Sequence, residues 1–200
     1  MAETAIILLA AGAARRMRGR DKLLEPVGGV PLLTDRARTC LEAGAERVIV
    51  VLPADAPGRR AALRDMDVAC VTAPQAHLGM AASIRAGVRA LPGGCTAVLM
   101  VLADMPELTS ADLAAVLAAH DPACPRICRA EAADGTPGHP VLFPARLFAA
   151  LTRLAGDRGA QPLIAGEAGR IKPVPLPGRR ALTDLDTPED WAEWRLHHRL

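Results

Sequence analysis

The chain has no tyrosine, two phenylalanines and two tryptophans. So few aromatic side chains leave no platform on which the bases of a single strand could stack. A net charge of +2 over 200 residues argues against a dedicated nucleic-acid binder. Nucleic acid is therefore not an expected partner. No run of 18 apolar residues occurs, so no membrane span is expected. Met-Ala-Glu-Thr at the start carries no cationic segment of the secretory kind, and no leader is expected. Two common phosphate-binding signatures are missing as well. Gly-x4-Gly-Lys-Ser/Thr fails because Lys22 is followed by Leu23, and Gly-x-Gly-x-x-Gly does not occur. Lysine itself is nearly absent: of 24 cationic residues only Lys22 and Lys172 are lysines. Composition alone would have put an arginine at 22, so a compact ammonium there points to a specific task.

Five cysteines, at 40, 70, 95, 124 and 128, make an odd and scattered set. Cys40, Cys70 and Cys95 lie in apolar or helical surroundings, which predicts buried, reduced thiols and a cytoplasmic protein. Cys124-x3-Cys128 with His139 has loose spacing and no evident fourth ligand, so zinc is not expected.

Half the residues are apolar, enough for a substantial core in one α/β domain over residues 1–200. Residues 6–9 form a continuous apolar run, the pattern of a strand buried on both faces. Ala10, Ala11, Gly12, Ala13 and Ala14 follow, with almost no side-chain volume. Such a loop can bring backbone N–H groups against a ligand. Next come Arg15, Arg16, Arg18, Arg20 and Lys22. Small residues after a buried strand, followed by cations, suit a nucleoside triphosphate.

Apolar runs then alternate with helical patterns. Helices are expected over 32–43 (closed by Gly44), 54–63, 80–91 and 109–120, the last opened by a capping box at Thr109 and Asp112. Strands are expected over 47–52, 68–72 and 97–102. This order predicts a Rossmann-like, three-layer α/β/α fold with a mostly parallel sheet. In the second half, strands are expected over 126–130 and 141–143, with a polar turn over 134–138 between them. Shorter helices are expected over 146–154 and 159–165. Residues 171–176, interrupted by prolines, read as an edge strand. Pro188 then opens a last helix running to about residue 197.

Several motifs carry possible chemistry. Asp104 directly follows the most apolar strand, in Ala-Asp-Met-Pro, where open α/β sheets bind ligands. It is placed to hold Mg²⁺ against triphosphate oxygens. Gly79, Met80 and Ser83 stand at a helix start that could face a base or ribose. Asp184 and Asp186 alternate onto one face of an extended stretch. Either could join Asp104 as a metal carboxylate, with Asp186 slightly favoured over Asp184; the alternative for Asp186 is a cap on the last helix.

These segments, in order, resemble the MobA-like nucleotidyltransferases. Leu9, Ala10, Ala11, Gly12, Arg16, Met17 and Lys22 match that family's Leu-Ala-Ala-Gly-x-Gly/Ser-x-Arg-Met-Gly-x-x-Lys. Ala14 stands where Gly or Ser is usual, and one extra residue precedes Lys22. Asp104-Met105-Pro106 looks like its metal-binding Asp-Met-Pro. Gly79, Met80, Ser83, Arg85 and Gly87 resemble Gly-Met-Ser-x-Ser-Leu-Arg-x-Gly of the molybdenum-cofactor cytidylyltransferase (MocA) branch, with Ala81 replacing the first Ser. Residues 138–143, Gly-His-Pro-Val-Leu-Phe, look like that branch's own motif. Residues 156–160 and 183–190 resemble its Gly-Asp-x-Gly-Ala/Arg and Asp-Ile-Asp-Thr-Pro-Glu-Asp segments.

The resemblance implies Mg²⁺-dependent transfer of CMP from CTP to the phosphate of molybdopterin, with release of pyrophosphate. Nucleotide contacts would fall to residues 9–12, Arg16, Lys22, Gly79, Met80 and Ser83. Arg16, Lys22 and Asp104 would be catalytic, and Asp104 and Asp186 would hold the metal. His139 on a turn, Asp157 and Arg158 would receive the acceptor. A molybdoenzyme or its chaperone would be a partner. The alternatives are a transferase for sugar or polyol phosphates, and a non-catalytic protein that binds and delivers molybdopterin.

Overall fold

The structure is a computed structural model and describes residues 3–198. In chain order its main elements are β1 (Glu3–Leu9), a small hairpin of β2 (Pro26–Val27) and β3 (Val30–Pro31), α1 (Leu32–Glu42), β4 (Arg47–Pro53), α2 (Pro57–Ala62), β5 (Ala69–Ala73), α3 (Met80–Arg89), β6 (Cys95–Leu102) and α4 (Ser110–Ala118). Then come β7 (Ile127–Glu131), β8 (Pro137–Pro144), α5 (Phe148–Leu151), α6 (Gln161–Gly166), β9 (Ile171–Pro175) and α7 (Pro188–His198).

Seven strands form one sheet in the order β5-β4-β1-β6-β8-β7-β9. β5, β4, β1 and β6 run parallel, and β8 alone runs against its neighbours. The expected three-layer, mostly parallel fold is therefore the one observed. Alternation along β1 explains why its sequence is apolar throughout. Ile6 and Leu8 point into one core with Leu33, Leu113 and Trp191, while Ala5 and Ile7 point into the other with Ile84, Phe143 and Leu151. A strand covered on both faces has no polar side to show.

The first half follows its sequence pattern closely. Gly44 sits at φ +86° just past α1, and Thr109 and Asp112 form the capping box of α4. The second half departs from it. β8 extends from 137 to 144, taking in residues expected in a turn, His139 among them. Its prolines at 137, 140 and 144 break the strand pattern in sequence. Pairing with β6 on one side and β7 on the other prevails. The helix expected over 146–154 shrinks to α5 after a 3-10 turn over Ala145–Leu147, with no side chain capping its start. β9 is an edge strand, as its prolines require. All five cysteines are free, but Cys70 and Cys124 are exposed. Cys70 escapes burial because β5 is the other edge of the sheet.

The chain moves outward from β1 to β4 and β5, then crosses to β6 on the opposite side. The loops after β1 and β6 therefore part at the switch between the two directions, at the strands' carboxyl ends. That is the general ligand crevice of open α/β sheets.

Candidate active site

Three segments converge there. Leu9 and Leu102 are register partners, and Ala103 N–H donates to the Leu9 carbonyl at 3.2 Å. Residues 10–25 and 103–108 thus leave the sheet side by side. The third segment precedes α7: Leu185 N–H donates to the Asp104 carbonyl at 3.0 Å. Residues on either side of that bond are carried to the same place. Asp104, Asp184 and Asp186 each offer an oxygen, and the three lie within 4.8 Å of one another. Both candidates for the second carboxylate are therefore present. Capping of α7 falls to other groups: Asp190 accepts from Thr187 N–H at 2.8 Å and from Asp186 N–H at 3.1 Å, and Thr187 Oγ1 accepts from Asp190 N–H. That leaves the Asp186 carboxylate free for the site.

Lys22 lies beneath these carboxylates, only 7% exposed. Asp21 caps a short 3-10 turn over Lys22–Leu24 by accepting from Leu23 N–H, and buried Leu23 anchors the turn. Lys22 Nζ is thereby held 2.5 Å from Asp104 Oδ2 and 2.6 Å from Asp186 Oδ1. Burial works against its charge, but the charges and hydrogen bonds of Asp104 and Asp186 outweigh that and raise its pKa. Arg16 pairs with the other oxygen of Asp186, and Arg18 with Glu189 at 2.6 Å. Cations expected to face a triphosphate are thus matched with carboxylates here. Loss of solvation, followed by repulsion from Asp104 and Asp186, raises the pKa of Asp184, even though that residue is exposed overall. Oδ1 of Asp104 is buried and has no hydrogen-bond partner among the described residues.

Beside the cluster opens a pocket of about 800 Å³. Leu9, Ala11, Gly12, Arg16 and Asp104 line one wall, and Gly79, Met80, Ser83 and Asp157 another. Gly12 needs no room from the protein: a Cβ there would touch nothing within 4 Å. Gly79 does. It sits at φ +117°, and a Cβ would fall 2.7 Å from the Gly156 carbonyl. This contact joins the start of α3 to the 156–157 loop and explains why Asp157 reaches the pocket.

Ala10, Arg158 and His139 do not line this wall. His139 stands in β8 with its Nδ1 buried and unpartnered. Burial, then the charge of Arg129, pushes its pKa down to about 4 against a weaker pull from Asp104.

Two arginines that sequence patterns do not single out support both loops from below. Arg59 of α2, 5% exposed, donates to the carbonyls of Ala10 and Gly12 and to both oxygens of Asp21. Arg36 of α1, 6% exposed, donates to the carbonyls of Met105 and Leu108 just after Asp104. In a chain this rich in arginine no spacing marks them. Their partners include backbone carbonyls far away in sequence.

Residues 6–173 match the model of the MobA-like NTP transferase domain. The chain belongs to that family. Among similar proteins, nicotine blue oxidoreductase of Paenarthrobacter nicotinovorans is 28% identical over 195 residues, 92% of each chain. The bifunctional protein GlmU of Clavibacter sepedonicus is 35% identical over 127 residues, 58% of this chain and 24% of its own length. The chain thus spans about a quarter of the GlmU proteins it matches. Rv0371c of Mycobacterium tuberculosis H37Rv has a similar crystal structure, with a TM-score of 0.84 and 28% identity, covering 97% of this chain and 98% of that one. Its complex with manganese superposes with a TM-score of 0.80 at 26% identity, over 96% of this chain and 97% of that one.

Proposed function

We propose that the protein is a metal-dependent cytidylyltransferase. It transfers CMP from CTP to the phosphate of a molybdopterin-type acceptor and releases pyrophosphate. The observation that carries nucleotidyl transfer is the junction of Lys22 with Asp104 and Asp186 beside the small-residue loop. Cytidine as the base and molybdopterin as the acceptor rest on the likeness of residues 78–87 and 138–143 to the cytidylyltransferase branch.

The carboxylate group fits a hard divalent cation. It offers oxygen donors only, and one of them, Asp104 Oδ1, is buried without a partner. Asp104 and Asp186, with Asp184 at the exposed side, would hold such an ion, Mg²⁺ in this reading. The manganese complex of Rv0371c supports a divalent metal. When bound, the ion neutralises charge on phosphate oxygens.

The chain's own residues bind and orient. N–H groups of the loop over 11–13 receive phosphate oxygens. Lys22 and Arg16 bring cations to the charge that grows on the departing pyrophosphate. In this reading Gly79, Met80 and Ser83 face the nucleoside and Asp157 the acceptor, while Arg158 and His139, which do not line the pocket, are left without a direct contact. No side-chain nucleophile is required, because the attacking phosphate is already an anion.

Oxidoreduction is a second reading, favoured by the likeness to nicotine blue oxidoreductase over nearly the full length of both chains. One assay separates the two. Pyrophosphate release is followed with each of the four NTPs, Mg²⁺ and loaded molybdopterin. Release with CTP in preference to GTP supports the proposal. Release from no NTP removes nucleotidyl transfer. Release with a different NTP removes only the cytidine assignment.

A further inference from the structure

Arg59 spends four of its five N–H donors on one loop. Nη1 donates to the Ala10 carbonyl at 2.6 Å and Nη2 to the Gly12 carbonyl at 3.1 Å. Nε and Nη2 grip Asp21 at 2.7 and 2.9 Å. These acceptors are the first and third residues of the small-residue loop and the residue just before Lys22. The guanidinium is buried, so solvent does not compete for it. α2, which carries it, is pressed against the turn over Lys22–Leu24: a Cβ on Gly58 would fall 2.7 Å from Leu24 Cδ1.

The direction of those bonds has a stereochemical result. In a planar trans peptide the C=O and the following N–H point opposite ways. Drawing the carbonyls of Ala10 and Gly12 toward Arg59 turns the N–H groups of Ala11 and Ala13 away from it. Ala11 and Ala13 both line the pocket. Among the described residues, neither N–H donates to a backbone acceptor. A side chain that only filled the core, or only paired with Asp21, would leave these peptide planes free to turn.

We infer that Arg59 is a positioning residue: it locks the peptide planes of residues 10–13 so that two N–H donors face the phosphates of a nucleoside triphosphate. The inference rests on the nucleotidyl-transfer reading above. Through Asp21 the same guanidinium fixes the turn that carries Lys22, so it sets the spacing between backbone donors and ammonium. Arg59 touches no substrate. Its effect therefore falls on nucleotide binding, with a smaller effect on the chemical step.

The test compares wild type, Arg59→Met, Arg59→Lys and Asp21→Asn. CTP binding with Mg²⁺ is measured by calorimetry, kcat and KM by pyrophosphate release, and folding by thermal melting. Arg59→Met should weaken CTP binding and raise KM by about 10- to 100-fold. At saturating CTP, kcat should stay within about threefold of wild type. Arg59→Lys keeps the charge and can meet Asp21, but it cannot reach both carbonyls, so it should fall between the two. Asp21→Asn keeps the volume and the cap on Leu23 N–H, so it answers the question even if Arg59→Met does not fold. It should raise KM by about three- to tenfold. Wild-type CTP affinity in folded Arg59→Met, or in Asp21→Asn, would overturn the inference. So would activity lost only in step with folded protein at constant KM. If wild type itself binds none of the four NTPs, the function reading fails, and that result is distinct from either.

Discussion

At the scale of single residues, Asp104 and Lys22 make one electrostatic unit. Asp104→Asn is nearly isosteric and should melt close to wild type. If Asp104 holds the metal as proposed, the substitution should nevertheless lower turnover in saturating Mg²⁺ by about 100-fold or more, since the proposed metal carboxylate and a partner of Lys22 go together. Turnover within about threefold of wild type would remove Asp104 from the site. Lys22→Ala should cost on the order of 2–4 kcal/mol in kcat/KM. Lys22→Arg should recover little, because a planar guanidinium cannot sit at one point between two carboxylates. The structure adds a consequence. Without Lys22 the carboxylates repel one another, so Mn²⁺ should raise the melting temperature of Lys22→Ala by more than it raises that of wild type. Equal shifts would mean that Lys22 and the metal do not share the carboxylates. His139 gives a pH dependence. Its folded pKa of about 4 lies below the ordinary 6.5, so between those values the unfolded chain binds more protons. This contribution is fully present above pH 6.5 and is lost as pH falls toward 4, by on the order of 3 kcal/mol. Denaturant titrations at several pH values should show that loss in wild type and a flatter curve in His139→Gln.

At the scale of elements, the start of α7 does more than begin a helix. Thr187 and Asp190 cap it, and the same Asp190 carboxylate accepts from the backbone of Asp186. Helix capping and placement of a site carboxylate are therefore one arrangement. Thr187→Ala should cost about 1 kcal/mol of stability, as a lost cap does. It should also weaken Mn²⁺ binding, measurable by calorimetry. A stability loss with unchanged metal affinity would separate the helix from the site. The glycine start of α3 is a similar case. The motif over 78–87 was legible in sequence, but the pressure of Gly156 on Gly79 was not, since it joins segments 77 residues apart.

At the scale of the whole molecule, the site is assembled from three loops beyond the carboxyl ends of the central strands β1 and β6, and a bound nucleotide would bridge them. Anything that binds the folded state alone stabilises it by mass action, about 2.7 kcal/mol at a hundred times Kd. For a chain of this size that is a rise of about 5–10 °C in melting temperature. CTP with Mg²⁺ should produce such a rise, and GTP at the same concentration a smaller one. No shift with any NTP would argue against a nucleotide at this site, and equal shifts against a base preference for cytosine.

The sequence by itself determined the fold class and the strand–loop–cation opening, and it marked Lys22, Asp104 and one of Asp184 or Asp186 as candidates. These features are local: apolar runs of a given length, small residues and caps act over a few positions, where propensity and periodicity operate. The extent of β8 and the shortness of α5 were decided by pairing and packing with distant segments, which override local preference. Only the tertiary structure brought both Asp184 and Asp186 to Asp104, through the bond between Leu185 N–H and the Asp104 carbonyl. Only it gave Arg59 and Arg36 their positions. A buried guanidinium that reaches backbone carbonyls answers to the geometry of the chain around it, and main-chain acceptors leave no trace in the order of side chains.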